Sequence, residues 1–129
     1  MMNLKCLSKL LILLLFSGFS HANIQQIEPQ VLLKLTQNQQ APFILDVRSQ
    51  EEFQQGHIKG AINIPYDQIA NNSALLTDYK NKPIVVYCRS GRRASVAEHI
   101  LLEKGFMQLV DLKGHINLWQ QRKYPLVGY

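Results

Sequence analysis

The chain has 129 residues, of which 47% are hydrophobic and 18% are charged, and its formal net charge is +5. This length suits one compact domain and leaves too little chain for a second. The excess of positive charge is small, and no basic stripe with interleaved aromatic residues occurs, so a nucleic-acid-binding protein is not predicted.

The first 22 residues have the pattern of a secretory signal peptide. Lys5 and Lys9 precede an apolar run over residues 10–16, and a Ser-His-Ala sequence at residues 20–22 places small residues where a signal peptidase cleaves. The run is about half of the roughly 20 residues that span a bilayer, so we expect cleavage rather than a membrane anchor. The expected product is one domain, residues 23–129, exported to the periplasm if the source is a Gram-negative bacterium.

Cys88 is the only cysteine in that product, because Cys6 lies within the expected signal peptide. A lone cysteine cannot form an internal disulfide, so a structural disulfide is excluded. A buried inert thiol and an intermolecular bridge are the structural alternatives. The arginines and glycine that follow Cys88 favour a reactive thiol instead.

Short apolar strands alternate with amphipathic helices along the product. Strands are predicted at residues 23–27, 43–47, 61–64, 83–87 and 107–111. Helices are predicted from Pro29, from a capping box that begins at Ser49, as one or two short helices over 66–80, and at 95–104 and 116–121. The alternation predicts an α/β fold, with a small, mostly parallel sheet of about five strands and helices on both faces.

The strand that ends at Cys88 is followed by Arg89, Arg92 and Arg93, directly before a helical pattern. Cationic side chains at the start of a helix oppose its dipole, and this arrangement makes sense if an anion binds there. Free backbone N–H groups at a helix start bind anions, and they favour the ionised form of a nearby cysteine. The loop therefore predicts a thiolate enzyme that acts on a small oxyanion.

Three sequence blocks occur in order along the chain. They are LDVR at residues 45–48 with EEF at 51–53, GHIKGAINIP at 56–65, and CRSGRR at 88–93, with a weaker continuation at 112–114, 119 and 124–125. Together they resemble the single-domain rhodaneses, which are thiosulfate sulfurtransferases, and the resemblance implies a rhodanese-like fold. The family commonly has two glycines before the last helix. The second is His115 here, which would narrow the site or add a hydrogen bond.

The resemblance implies sulfur transfer in two steps. Thiolate Cys88 attacks the outer sulfur of a donor such as thiosulfate, sulfite leaves, and the resulting persulfide gives its sulfur to cyanide or a thiol. Arg93 closes the six-residue loop and is the first candidate to hold the sulfonate end of thiosulfate. The residues expected to bind substrate are Arg89, Ser90, Gly91, Arg92 and Arg93.

Three residues outside the loop are expected to support it. Asp46 and Arg48 lie just after a strand and predict an ion pair beneath the loop. His57 is expected to be structural, because transfer by a preformed thiolate needs no general base. No group of His, Cys and carboxylates has metal-ligand spacing, so we predict no metal and no cofactor. The expected partners are a small sulfur donor and a thiol or cyanide acceptor, with the protein a monomer and without a membrane anchor after cleavage.

Two other functions stay open at this point. A phosphatase or arsenate reductase on the same fold needs an arginine six positions after the cysteine, where this chain has Ala94, so this class is disfavoured. A non-catalytic or redox-sensing module would use Cys88 to form a sulfenic acid or a mixed disulfide, with no internal thiol to resolve it.

Overall fold

The computed structural model describes residues 24–128, and the predicted signal peptide lies outside this part of the chain. Its strands are β1 (Gln25–Ile27), β2 (Phe43–Asp46), β3 (Ile62–Asn63), β4 (Ile84–Tyr87) and β5 (Leu109–Leu112). They form one sheet in the order β1-β5-β4-β2-β3, and every pairing between these strands is parallel. The predicted class and strand number are confirmed.

The helices are α1 (Pro29–Gln37), α2 (Gln50–Gln55), α3 (Ile69–Asn72), α4 (Arg92–Glu103) and α5 (His115–Gln121), with 3₁₀ segments at Tyr66–Gln68 and Ser73–Tyr79. Parallel strands need such crossover connections because each must return the chain to the same end of the sheet. No helix within residues 24–128 is long and apolar enough to cross a membrane.

Both faces of the sheet are apolar, as expected for a sheet covered on both sides. On one face, β-strand side chains such as Val86 pack with Ala97 and Leu101 of α4. On the other face, Val85 packs in a second cluster with Trp119 of α5 and with a leucine of α1. The predicted helices on both faces are therefore present, and the sheet is fixed between two cores.

Most predicted elements differ from the structure by one to three residues at their ends, and two of these differences have a local physical cause. Helix α4 begins at Arg92, three residues before the predicted start at Ser95, because Gly91 adopts a φ of 124° and turns the chain into the helix immediately. Strand β3 is shorter than predicted, since the N–H of Ala61 bonds to the carbonyl of Ile58 in a turn and Pro65 has no N–H to donate.

The predicted capping box at the start of α2 is confirmed. The Ser49 hydroxyl accepts the backbone N–H of Glu52 at 3.2 Å, and the Ser49 N–H donates to the Glu52 carboxylate at 3.3 Å. Two of the free N–H groups at the helix start are thereby satisfied. The box also fixes the Glu52 side chain, which has a second partner at the Cys88 loop.

Candidate active site

Cys88 follows β4, which has β5 on one side and β2 on the other, so the loop lies at the carboxyl edge of the sheet. Ligands bind at this edge in open α/β sheets. The first turn of α5 holds the loop backbone, because Ile116 N–H donates to the Cys88 carbonyl at 3.1 Å and Asn117 N–H to the Arg89 carbonyl at 3.2 Å. The backbone around Cys88, the candidate nucleophile, is thus held by the first turn of α5. The loop that follows Cys88 leads directly into α4.

The Cys88 sulfur is buried, with 1% of the residue exposed, and it accepts the N–H of Gly91 at 3.1 Å. An N–H donor aimed at sulfur stabilises negative charge on that atom. A cavity of about 280 Å³ opens above it. The lining residues are Tyr66, Cys88, Arg89, Ser90, Arg92, Arg93 and Val96.

The structure therefore brings the predicted loop residues together around one cavity. Gly91 contributes through its backbone N–H rather than as a lining residue. The sequence did not predict two of the residues that line the cavity, Tyr66 and Val96. The only signal for Tyr66 was its place directly after the second sequence block, and a single exposed valine in a helix carries none.

Arg93 is tied to α2 by an ion pair. Its two terminal nitrogens donate to the two carboxylate oxygens of Glu52 at 2.6 and 3.0 Å. This bidentate contact balances the charge of Arg93 and directs its guanidinium to the rim of the cavity. Binding of a sulfonate by Arg93 stays a prediction, and would require a donor to share the guanidinium with Glu52.

Arg89 and Arg92 are exposed and form no ion pair within residues 24–128. They supply the uncompensated positive charge at the cavity. A dianionic donor is attracted to such a cluster over about a Debye length.

Replacing Glu52 with glutamine is expected to remove a pH-dependent contribution to stability. The hydrogen bond from Arg93, with help from Ser49, lowers the pKa of Glu52 from 4.5 to about 2. A carboxylate with a depressed pKa stabilises the fold above its unfolded pKa, and this contribution is lost as the pH falls towards the folded pKa. We expect Glu52→Gln to lower the free energy of unfolding by about 1 kcal/mol at neutral pH, a value that allows for solvent screening of this partly exposed pair.

Urea denaturation between about pH 3 and pH 7 measures this effect, and the difference between wild type and variant is expected to shrink steadily below about pH 4.5. Glu51→Gln is the matched control, because Glu51 is the exposed neighbour and has no ion pair within the described residues. An equal loss in both variants at every pH would contradict the assignment.

The predicted ion pair of Asp46 and Arg48 is present beneath the loop. Arg48 Nη2 lies 2.7 Å from Asp46 Oδ2, Arg48 Nε contacts the same carboxylate, and Nη2 also donates to the Gly56 carbonyl at 2.7 Å. Both side chains are buried. The Arg48 guanidinium lies over the Tyr87 ring, 5.7 Å from its centroid, and burial, followed by the charge of Asp46, raises the pKa of Tyr87 far above its usual range. The pair thus contacts the residue that directly precedes Cys88.

His57 lies at the end of α2. Its ring stacks on Phe53 with 3.6 Å between the centroids, Nδ1 bonds to the Phe53 carbonyl at 2.8 Å, and its backbone pairs with Val127. These contacts join the end of α2 to the end of the described chain. The supporting roles of His57, Asp46 and Arg48 in catalysis stay predictions.

The family model of the rhodanese-like domain matches residues 28–122. The chain belongs to the rhodanese family. This match covers the Cys88 loop, the Asp46–Arg48 pair and all five helices. The rhodanese-like fold implied by the sequence blocks is therefore shown.

Some relatives of this rhodanese-like domain are named for an activity, and others are not. Thiosulfate sulfurtransferase PspE of Escherichia coli is 39% identical over 70 residues, which cover 54% of this chain and 67% of PspE. Uncharacterized protein YibN of Escherichia coli is 34% identical over 91 residues, or 70% of this chain and 64% of YibN. A crystal structure of a rhodanese-related protein from Thermoplasma volcanium is 31% identical, with a TM-score of 0.67 over 80% of this chain and 97% of that chain.

The rhodanese-like domain thus has relatives that are named as sulfurtransferases and others without a described activity. Within residues 24–128, no group of three or more His, Cys, Asp or Glu side chains is arranged to hold a metal ion. The polar groups at the Cys88 cavity include the thiol, the arginines and the loop N–H groups.

Proposed function

We propose that this rhodanese-like protein is a sulfurtransferase that acts after export. It takes the outer sulfur of thiosulfate or a similar donor onto Cys88 and passes it to a thiol or cyanide. The observation that carries the proposal is the Cys88 sulfur at the floor of an arginine-lined cavity, with the Gly91 N–H directed at it at 3.1 Å.

In the first step the Cys88 thiolate attacks the outer sulfur of thiosulfate. The new S–S bond forms as the sulfur–sulfur bond of thiosulfate breaks, and sulfite leaves with the electron pair. The product is a Cys88 persulfide anion. The Gly91 N–H and the nearby arginines favour both anions without a change of protonation, so the step needs no general base.

In the second step the acceptor attacks the outer sulfur of the persulfide. Cyanide becomes thiocyanate, or a thiolate becomes a new persulfide, and the Cys88 thiolate is restored with its electron pair. A groove of about 670 Å³ adjoins the Cys88 cavity and shares Tyr66 and Arg93 with it. Its size supports an acceptor larger than cyanide, such as a thiol carried on a bigger molecule.

The position of Ala94 disfavours phosphoryl transfer. Ala94 lies six positions after Cys88, is fully buried within α4, and packs in the core beneath the helix. A side chain at this position points away from the cavity, so no arginine at this spacing closes around a tetrahedral oxyanion. The shorter loop instead suits a sulfur atom better than a phosphoryl group.

Sulfite release in the absence of an acceptor tests the proposal. Residues 23–129 mixed with thiosulfate are expected to release sulfite in an amount equal to the protein and then to stop, because the persulfide must be emptied before a second turnover. Addition of cyanide is expected to restart the reaction and to yield thiocyanate. Thiocyanate formation without any prior sulfite release would contradict the two-step mechanism.

A further inference from the structure

His115 occupies a strained and buried position directly beneath the Cys88 loop. It is the first residue of α5, only 5% of it is exposed, and its φ is +54°. A non-glycine residue in this left-handed region costs roughly 1 kcal/mol or more. A bulky side chain persists there only where its contacts offset this cost.

The imidazole contacts the active loop at two residues, Cys88 and Gly91. Its Nδ1 lies 3.2 Å from the backbone nitrogen of Cys88, which donates its hydrogen to the ring. Its Nε2 lies 3.0 Å from the position that a Cβ on Gly91 would occupy, so the ring also packs beneath Gly91. These two residues are the nucleophile and the residue whose N–H reaches the Cys88 sulfur.

Two carboxyl groups, those of Asp111 and Glu98, lie in series on the Nε2 side of the imidazole. His115 Nε2 is 3.4 Å from Asp111 Oδ2, and Asp111 in turn hydrogen-bonds to Glu98 of α4. Burial, and then the charge of Asp111, raise the pKa of Glu98 to about 9, so Glu98 keeps its proton at neutral pH and donates to Asp111. Glu98 is 97% buried, and its Oε2 has no hydrogen-bond partner within the described residues.

The hydrogen bond at Nδ1 and the carboxylate near Nε2 together fix the tautomer of His115. Because Nδ1 accepts from the Cys88 N–H, it carries no proton, and the ring proton lies on Nε2 facing Asp111. A carboxylate that accepts from one ring nitrogen commonly sets the tautomer and orientation of the other. The series Glu98, Asp111, His115 and Cys88 N–H is then continuous, with one donor and one acceptor at every contact.

We infer, on the basis of the proposed function, that His115 is a positioning residue that holds the Cys88–Gly91 backbone in the geometry for sulfur transfer, with Asp111 and Glu98 fixing its ring. His115 is not among the residues that line the cavity, so it acts through the loop and does not touch the donor. The sequence prediction that His115 adds a hydrogen bond agrees with this arrangement, whereas narrowing of the site does not.

Two substitutions at this position separate hydrogen bonding from packing. Glycine and asparagine both tolerate a positive φ, so neither His115→Gly nor His115→Asn adds backbone strain. The asparagine side-chain oxygen can accept the Cys88 N–H in place of Nδ1, and glycine offers no acceptor. We expect His115→Gly to lower the rate constant for sulfite release about tenfold, with the KM for thiosulfate within about twofold of wild type.

His115→Asn is expected to restore the rate to within about threefold of wild type, because the hydrogen bond to the nucleophile's backbone returns. His99→Ala is the matched control. His99 is an exposed histidine of α4 whose ring bonds to the Ser95 carbonyl, so its removal is expected to leave the rate unchanged. Equal rates in His115→Gly and wild type, or no advantage of asparagine over glycine, would overturn the inference.

Nitrogen NMR of ¹⁵N-histidine-labelled protein tests the same contacts without any sulfur donor. The ring shifts of His115, assigned by their loss in His115→Asn, are expected to show a proton on Nε2 and none on Nδ1. Asp111→Asn is expected to weaken this preference. A proton on Nδ1 would overturn the inference. If the wild-type protein released no sulfite, the proposed function would fail, and the ring spectrum would still decide whether His115 holds the loop.

Discussion

Cys88→Ser is expected to abolish sulfur transfer, with a loss of activity of more than about a thousandfold. Serine is close to cysteine in size and can accept the Gly91 N–H, so the loop geometry is kept. Its hydroxyl does not ionise near neutral pH and cannot form a persulfide. Thiocyanate production from thiosulfate and cyanide measures the effect, and Cys88→Ala provides a second variant without any hydroxyl.

The matched control for this experiment is Ser95→Ala, which removes a hydroxyl from the exposed side of the same helix start. Its activity is expected to equal that of the wild type. Urea denaturation of each variant checks that the fold is intact, with changes of about 1 kcal/mol or less. Substantial transfer by Cys88→Ser would show that another group carries the sulfur.

Asp46→Asn is expected to give the largest loss of stability. The substitution leaves Arg48, whose side chain is only 7% exposed, without its counter-charge. Breaking a buried pair by removal of one partner costs about 3–5 kcal/mol, mainly because the remaining charge is desolvated and unpaired. Chemical denaturation at neutral pH measures this loss.

The exposed pair of Lys113 and Glu28 is the control, because its atoms lie at a similar distance, 2.9 Å, while about half of each side chain is exposed. Lys113→Ala is expected to cost less than about 1 kcal/mol. Arg48→Lys keeps the charge but not the bidentate geometry, so an intermediate loss is expected. If Asp46→Asn were too unstable to purify, a larger loss of stability in Arg48→Lys than in Lys113→Ala would still test the buried pair. A loss in Asp46→Asn no larger than in Lys113→Ala would contradict a stabilising role for the buried Asp46–Arg48 pair.

The parts of the fold that follow from local chemistry were predictable from the sequence. The buried strand before Cys88 is a short apolar run, and its burial on both faces follows from that pattern. The capping box at Ser49 is a local motif, because both of its hydrogen bonds join Ser49 and Glu52. The loop itself combines a cysteine, a glycine and arginines in a spacing that is informative without any tertiary contact.

The contacts that span distant segments were not predictable. Arg93 pairs with Glu52, 41 residues away, so a loop arginine that the sequence assigns to substrate is also held by α2. Glu98 sits in an amphipathic helix, where a charged residue normally faces solvent, yet it is buried against β5. Its burial depends on Asp111 of the neighbouring strand, and no local pattern indicates that contact.

The most direct test of the Cys88 sulfurtransferase is the mass of the protein after exposure to thiosulfate. Peptide mapping by mass spectrometry is predicted to show one added sulfur atom on the peptide that contains Cys88, and its loss after cyanide is added. Thiocyanate formation with no added sulfur on Cys88, or with the sulfur on another residue, would contradict the account.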